Sequence, residues 1–194
     1  MTAKKDIRRL IRRRRRSLSL RERSRAAIRV SAVIGGMNEF RGARRIAIFA
    51  ANDGEIDLDQ TMKRYPAKNY YLPAVPPPGR RRMRFAPVGP QSSFRKNRYG
   101  ILEPDVPPRF LLTAPELDLV LAPLVAFDRS GGRIGMGGGY YDATFAFLAS
   151  RTCWRRPRLI GVAFSFQEVP YIEPDAWDIP LSAVATERGA VVIT

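Results

Sequence analysis

The 194-residue sequence contains no histidine and a single cysteine, Cys153. Without histidine the Ser-His and Cys-His nucleophile schemes are excluded, together with most zinc sites. One cysteine excludes an internal disulfide framework and fits a reducing compartment. Apolar runs are broken by Pro, Asp or Arg well short of the roughly 18 residues that a membrane helix needs, so a soluble, cytoplasmic protein with no membrane partner is expected. The chemistry left open rests on carboxylates, Lys and Arg, backbone amides and a hard cation.

Acids are also scarce, since 18 Asp and Glu against 34 Lys and Arg give a net charge of +16. The surplus sits at one end, where residues 1–29 hold thirteen Lys and Arg against Asp6 and Glu22. Such a segment suits nucleic acid, an anionic surface or an acidic small molecule. It has no apolar core of signal-peptide length, and Ile7, Leu10 and Ile11 fall at i, i+3 and i+4, the spacing of a packed helix. Most of its arginines are read as charges in water. An RNA-binding module would need stacking platforms or a recognisable recognition fold, whereas the aromatics cluster in apolar runs and beside a glycine-rich stretch. No specific nucleic-acid partner is expected, and a monomer is.

Apolar residues make up 45% of the chain, enough for one domain spanning 1–194 with a substantial core. A helix is predicted over 3–16, and Ser19-Leu20-Arg21-Glu22 is a capping-box pattern opening a second that stops at Gly35-Gly36. Strands are predicted at 44–51, 69–75, 83–88, 118–126, 158–165 and 190–194, with Pro87 marking 83–88 as an edge strand. A short helix follows Asn52-Asp53-Gly54 to about Tyr65, another covers 140–149, and the proline-rich stretch 89–116 reads as a long surface loop. Strands alternating with helices predict a three-layer, Rossmann-like α/β domain with a mostly parallel central sheet and helices on both faces.

Six glycines fall within Gly131-Gly132-Arg133-Ile134-Gly135-Met136-Gly137-Gly138-Gly139, between the apolar run 117–128 and the helix that opens with Tyr140-Tyr141-Asp142. Strand, glycine loop and helix start, in that order, point backbone N–H groups outward at a spot that favours an anion, phosphate above all. Arg133 adds a positive charge, and Asp142 in the first turn suits either a magnesium ion or the helix dipole. Two familiar motifs are excluded. Gly132 to Gly137 fits the P-loop spacing, but Gly138 and Gly139 stand where Lys and Ser/Thr are required; the dinucleotide fingerprint fails at Tyr140. Ligands of such sheets sit beyond the carboxyl ends of the strands, where Glu55, the glycine loop and the segment after Ser165, with Asp178, are expected to converge.

Read as a string, Gly132-Arg133-Ile134-Gly135-Met136-Gly137-Gly138-Gly139-Tyr140-Tyr141-Asp142 is far more specific than its glycines. It resembles the signature of the 5-formyltetrahydrofolate cyclo-ligase family, also called methenyltetrahydrofolate synthetases. The likeness extends from Lys4 and Arg8 through Ser19 to Glu22, Glu55-Ile56-Asp57, Leu72-Pro73, Met83, Asn97, Gly100-Ile101, Glu103-Pro104 and Phe127-Asp128 to Gly161-Val162-Ala163-Phe164, Gln167 and Asp178. The resemblance implies ATP- and Mg2+-dependent closure of 5-formyltetrahydrofolate to 5,10-methenyltetrahydrofolate, with a reduced folate and ATP as the small-molecule partners.

By the same resemblance Lys4, Arg8, Arg133, Ile134, Gly135, Met136, Gly137, Gly138, Gly139, Tyr140 and Tyr141 match ATP-binding positions, and Asp142 and Asp178 match magnesium-associated ones. Ala50, Glu55, Tyr99 and the run Met136 to Tyr140 match folate-contacting positions, and Arg133 and Asp142 are the catalytic candidates. The chain departs from the pattern at Met136 and Gly138, which are basic in some members, and at Trp177, where a histidine is frequent. Less positive charge is therefore available on the loop itself.

Overall fold

In the computed structural model, which describes residues 4–151 and 156–193, Cys153 and Thr194 lie outside the described residues. Helix α1 covers Lys4–Ser17 and α2 covers Leu20–Gly36. Their boundary is set by the capping box: the Ser19 hydroxyl accepts from the Glu22 N–H at 3.3 Å and the Glu22 carboxylate accepts from the Ser19 N–H at 2.8 Å. Next come α3 (Asn38–Gly42), β1 (Arg45–Ala47), α4 (Asp59–Arg64), β2 (Asn69–Ala74), β3 (Arg84–Val88), β4 (Phe94–Lys96) and β5 (Leu102–Pro104). The rest is β6 (Leu119–Pro123), β7 (Ala126–Phe127), β8 (Arg133–Ile134), α5 (Tyr140–Phe145), β9 (Arg158–Val162), β10 (Ala183–Thr186) and β11 (Gly189–Val192).

Seven strands form one sheet in the order β11-β10-β9-β6-β1-β2-β3. The inner five are parallel, and β3 and β11 close the edges antiparallel. Along β6, Leu119 and Leu121 pack with the residues of α2 and α3, while Val120 and Ala122 pack with Phe145 of α5 on the other face. All four are fully buried, each Leu or Val contributing about 1.5–3 kcal/mol. Helices thus cover both faces, the three-layer arrangement that the strand–helix alternation implies.

Several boundaries differ from expectation for local reasons. The run 118–126 breaks after Pro123, and Ala126–Phe127 turns out of the sheet to pair with Arg133–Ile134. Residues 89–116 are not all loop: β4 and β5 form a separate hairpin whose turn is held by the Asn97 side chain, which accepts from the Tyr99 and Ile101 N–H groups. All three β4 residues are exposed, so no apolar alternation marks it. Helix α5 ends at Phe145 and continues only as a 3-10 turn at Ala146–Leu148. Strand β10 carries no expectation at all, because Ala-Val-Ala-Thr is short and lacks large apolar residues, yet all four are buried between β9 and β11.

Helix α1 lies on neither sheet face but over the strand ends. Ile11 packs with Val125, Ala126, Ile134 and Ile172. One turn further along the same stripe, Arg15 is fully buried, against the reading of this arginine run as solvated. Its guanidinium donates to Asp53 at 2.9 Å, to the Leu124 carbonyl at 3.3 Å and to Glu55 at 3.5 Å. Arg12 donates to Asp53 at 2.6 Å, and Arg16 also pairs with it. Three cations on one helix face therefore clamp a single carboxylate on the turn after β1, where Asp53 has φ +52°.

Burial alone would raise the Asp53 pKa, but hydrogen bonds from Arg12, Arg16 and Arg15 outweigh it and hold the group at about 2. Because the folded value is depressed, the clamp's contribution is complete above the unfolded value near ~4 and is lost as pH falls toward 2. Asp53→Asn should therefore lower the urea midpoint at neutral pH and much less at pH ~2; an equal loss at both pH values would contradict an electrostatic clamp. Arg15→Met leaves Glu55 without its buried cation and should cost about 3 kcal/mol. Arg16→Ala, at an exposed position, should cost under about 1 kcal/mol.

Candidate active site

The strand order reverses at the middle of the sheet. From β1 the chain moves to β2 on one side, then returns to place β6 on the other and continues outward through β9 and β10. Connections leaving two adjacent parallel strands in opposite directions open a crevice at their carboxyl ends. A crevice of about 700 Å3 lies there, bordered by Phe49 and Ala50 after β1, Leu72 and Pro73 of β2, and Pro123 and Leu124 at the end of β6. Helix α1, the β4–β5 hairpin, the glycine loop and the segment 175–178 complete its walls. Every residue matched to an ATP-, folate- or magnesium-associated position, from Lys4 and Arg8 through Ala50, Glu55 and Tyr99 to Arg133–Asp142 and Asp178, borders this one crevice.

The glycine stretch divides into two parts with different work. Gly131 and Gly132 belong to the turn of the β7–β8 hairpin, which the sequence reading folds into one anion loop. Asp128, 1% exposed, accepts from the Ser130 N–H and hydroxyl, the Gly132 N–H and the Ile172 N–H at 2.7–2.9 Å. A Cβ on Gly132 would stand 2.9 Å from that carboxylate, so glycine is required by close approach. At Gly135 and Gly137 the backbone is open instead, since a Cβ there would meet nothing within 4 Å, whereas one on Gly138 would meet the Tyr140 ring at 2.9 Å; Gly137 and Gly139 take φ +99° and +65°. This second part leaves room for a close approach of an oxyanion to the backbone.

The charged side chains around the loop are already engaged with one another. Arg8 donates to the Gly135 carbonyl at 2.8 Å, tying α1 to the loop, and Lys4 pairs with Asp175 at 2.7 Å. Arg133 has a side chain only 6% exposed, paired with Asp142 and donating to the Ile179 carbonyl. Asp142 also accepts from the Ile179 N–H at 3.3 Å, and Asp178 accepts from the Asp175 N–H at 2.9 Å. Arg133 is therefore not a free charge beside the loop; it and Asp142 form a preset pair.

At the inner end Glu55 accepts from the Asn52 N–H at 3.1 Å and from Arg15. Burial raises its pKa against the opposing pull of the Asn52 hydrogen bond and Arg15. Tyr141 faces it: desolvation, then the Glu55 charge, raises the phenol's pKa, with Arg133 acting the other way. At the outer end the exposed Tyr99 hydroxyl lies 2.5 Å from that of Tyr140, and Arg98 donates to Tyr140 at 3.0 Å. The β4–β5 hairpin is thereby fastened to the glycine loop.

Among the described residues no group of three or more His, Cys, Asp or Glu is arranged to hold a metal ion. Magnesium rarely uses such a cage; one or two carboxylates plus substrate phosphates and waters are its usual set, and Asp142 and Asp178 on one crevice fit that donor chemistry. Arg15 is the site-forming residue that sequence reasoning missed, and it was findable, because Ile7, Ile11 and Arg15 repeat at i+4 on one stripe. Asp128 was named only as part of the family likeness; three of its donors come from Ser130 and Gly132 in the same turn, and only the Ile172 N–H is distant in sequence.

The family model of the 5-formyltetrahydrofolate cyclo-ligase family matches residues 1–187. A 5-formyltetrahydrofolate cyclo-ligase of Haemophilus influenzae is 33% identical over 182 residues, 92% of this chain and 94% of that protein. Its Escherichia coli K12 counterpart is 36% identical over 148 residues, covering 74% and 78%. The fold is similar to that of Aquifex aeolicus 5,10-methenyltetrahydrofolate synthetase, solved by NMR, with a TM-score of 0.80 at 29% identity over 99% of this chain and 93% of that one. With the sheet, the crevice and the glycine loop in the places described, the chain belongs to the 5-formyltetrahydrofolate cyclo-ligase family.

Proposed function

We propose that the crevice converts 5-formyltetrahydrofolate to 5,10-methenyltetrahydrofolate, using ATP and Mg2+ and releasing ADP and phosphate. The observation that carries this reading is that one crevice joins a glycine backbone flanked by Lys4 and Arg8 to an apolar end holding Glu55, a carboxylate largely withdrawn from solvent beside the Arg-clamped Asp53. The two reactants can then lie end to end. The formyl oxygen attacks the γ-phosphorus and ADP leaves; the neighbouring secondary arylamine nitrogen, at position 10, then attacks the activated carbon and gives up its proton, and phosphate departs with the C–O bond.

Proximity does most of the work in such a sequence, because holding the formyl oxygen in line with the phosphorus removes much of the entropic barrier. Backbone N–H groups of Gly137 to Gly139 would hold phosphate oxygens, and Lys4 and Arg8 would lie along them. The Arg133–Asp142 pair orients both groups before any ligand arrives. Asp142 and Asp178 would hold the magnesium ion, which supplies charge neutralisation on the phosphates. Glu55, fixed by Asn52 and Arg15, would accept from N–H donors of the reduced pterin, with Ala50 and Tyr99 along its length. Among the described residues no helix is long and apolar enough to cross a membrane.

The reading is tested by mixing the protein with 5-formyltetrahydrofolate, ATP and Mg2+ and following the near-ultraviolet absorbance of the methenyl product. A chelator should abolish the rate until Mg2+ is restored, and Asp142→Asn should lower turnover roughly 100-fold while raising the Mg2+ concentration needed. An undiminished rate in chelator would remove the metal from the scheme. Because burial raises the Glu55 pKa above its ordinary value of 4.5, kcat/KM for the folate should fall as pH drops through that raised value and the carboxylate is lost. Glu55→Gln should be slow at every pH and lack this acid limb. An unchanged limb would assign it to another group.

A further inference from the structure

A second cleft of about 540 Å3 adjoins the crevice on the outer side of the glycine loop. Arg80 and Arg81, in the loop after β2, and Arg98, in the β4–β5 turn, line it with Gly137, Gly138 and Tyr140. Its electrostatics oppose those of the crevice. Three cations, Lys4, Arg8 and Arg133, border the crevice against the five acids Asp53, Glu55, Asp142, Asp175 and Asp178. The cleft is lined by three guanidiniums and no acid.

None of these three guanidiniums pairs with an acid among the described residues. Lys4 and Arg133 each pair with an acid and Arg8 donates to a carbonyl, whereas Arg98 donates to the Pro76 carbonyl and the Tyr140 hydroxyl and lies over the Tyr99 ring, all of them neutral partners. Among the described residues Arg80 and Arg81 have no acidic partner. A Cβ on Gly139 would stand 3.7 Å from an Arg81 guanidinium nitrogen, so this charge lies against the loop itself. The loop has no cationic side chain of its own between Gly135 and Gly139.

We propose that Arg80, Arg81 and Arg98 form an oxyanion subsite across the loop from the crevice, which takes the charged end of a substrate seated there. The inference rests on the proposed reaction for what that substrate is. Planar guanidinium forks pair with phosphate and carboxylate oxygens alike, so the occupant is either a non-reacting phosphate of the nucleotide or the terminal carboxylates of the folate.

The test is calorimetric, comparing the wild type with Arg80→Ala/Arg81→Ala and Arg80→Lys/Arg81→Lys, for a non-hydrolysable ATP analogue and for 5-formyltetrahydrofolate, at low and high salt. Both arginines are exposed, and matching thermal unfolding would show that the variants fold. The alanine pair should weaken one ligand about tenfold at low salt and flatten its salt dependence, with the lysine pair recovering part of the loss. A weakened ATP analogue, with tripolyphosphate competing in the wild type, assigns the subsite to phosphate. A weakened folate, with the glutamate-free analogue indifferent to the substitution, assigns it to carboxylate. If both dissociation constants stay within about twofold, the subsite is overturned. Wild-type turnover in the absorbance assay reports separately on the proposed reaction, so either idea can fail while the other stands.

Discussion

The position of everything chemical in this molecule follows from one topological constraint, that β1 and β6 are neighbours whose connections leave in opposite directions. No crossover covers the gap at their carboxyl ends, and a sheet buried on both faces has few other places to open. Residues as far apart as Ala50, Leu72 and Pro123 meet there because three parallel strands end at the same level. The walls are then supplied by elements outside the central sheet, namely α1, the β4–β5 hairpin and the β7–β8 hairpin with its glycine loop.

Those walls are held by polar contacts as well as by the small apolar cluster around Ile11. Asp53 collects α1, Asp128 sets the glycine turn, and the Tyr99–Tyr140 contact fastens the β4–β5 hairpin. Each brings in at least one partner distant in sequence: α1 for Asp53, Ile172 for Asp128 and the hairpin's Tyr99 for Tyr140. A buried acid with several donors keeps its charge and fixes geometry at once, because hydrogen bonds to the ionised form offset its desolvation. The arrangement leaves the crevice itself slightly acid-rich and the exterior of the loop basic, a separation that the total charge of +16 conceals.

Much of the architecture was legible in the sequence. The capping box at Ser19, the continuous apolar run of β6 and the edge proline at Pro87 each encode their structure locally, and each is found where the pattern puts it. The site's membership was legible through the motif string and the family likeness that extends from Lys4 to Asp178. What was not legible is pairing at a distance. Nothing near Arg15 announces Asp53 as its partner, Arg133 reads as a free cation until Asp142 is seen beside it, and β10 has no periodicity because every residue in it is buried. The glycines likewise read as one loop, although the Asp128 carboxylate makes Gly132 structural and the close approach of Leu181 and Ile193 does the same for Gly131.

The attachment of α1 bears on the order in which the site is assembled. This helix is made before the strands of the sheet, yet its contacts lie 41 residues away at Asp53, 127 at Gly135 and 171 at Asp175. Contacts of such separation carry a loop-closure cost and form late. On a growing chain the arginine-rich helix therefore emerges with its cations unpaired and waits for nearly the whole sequence before Lys4 can reach its acid. The sheet can gather its central strands earlier, so the crevice receives its final wall from a helix made before any of those strands.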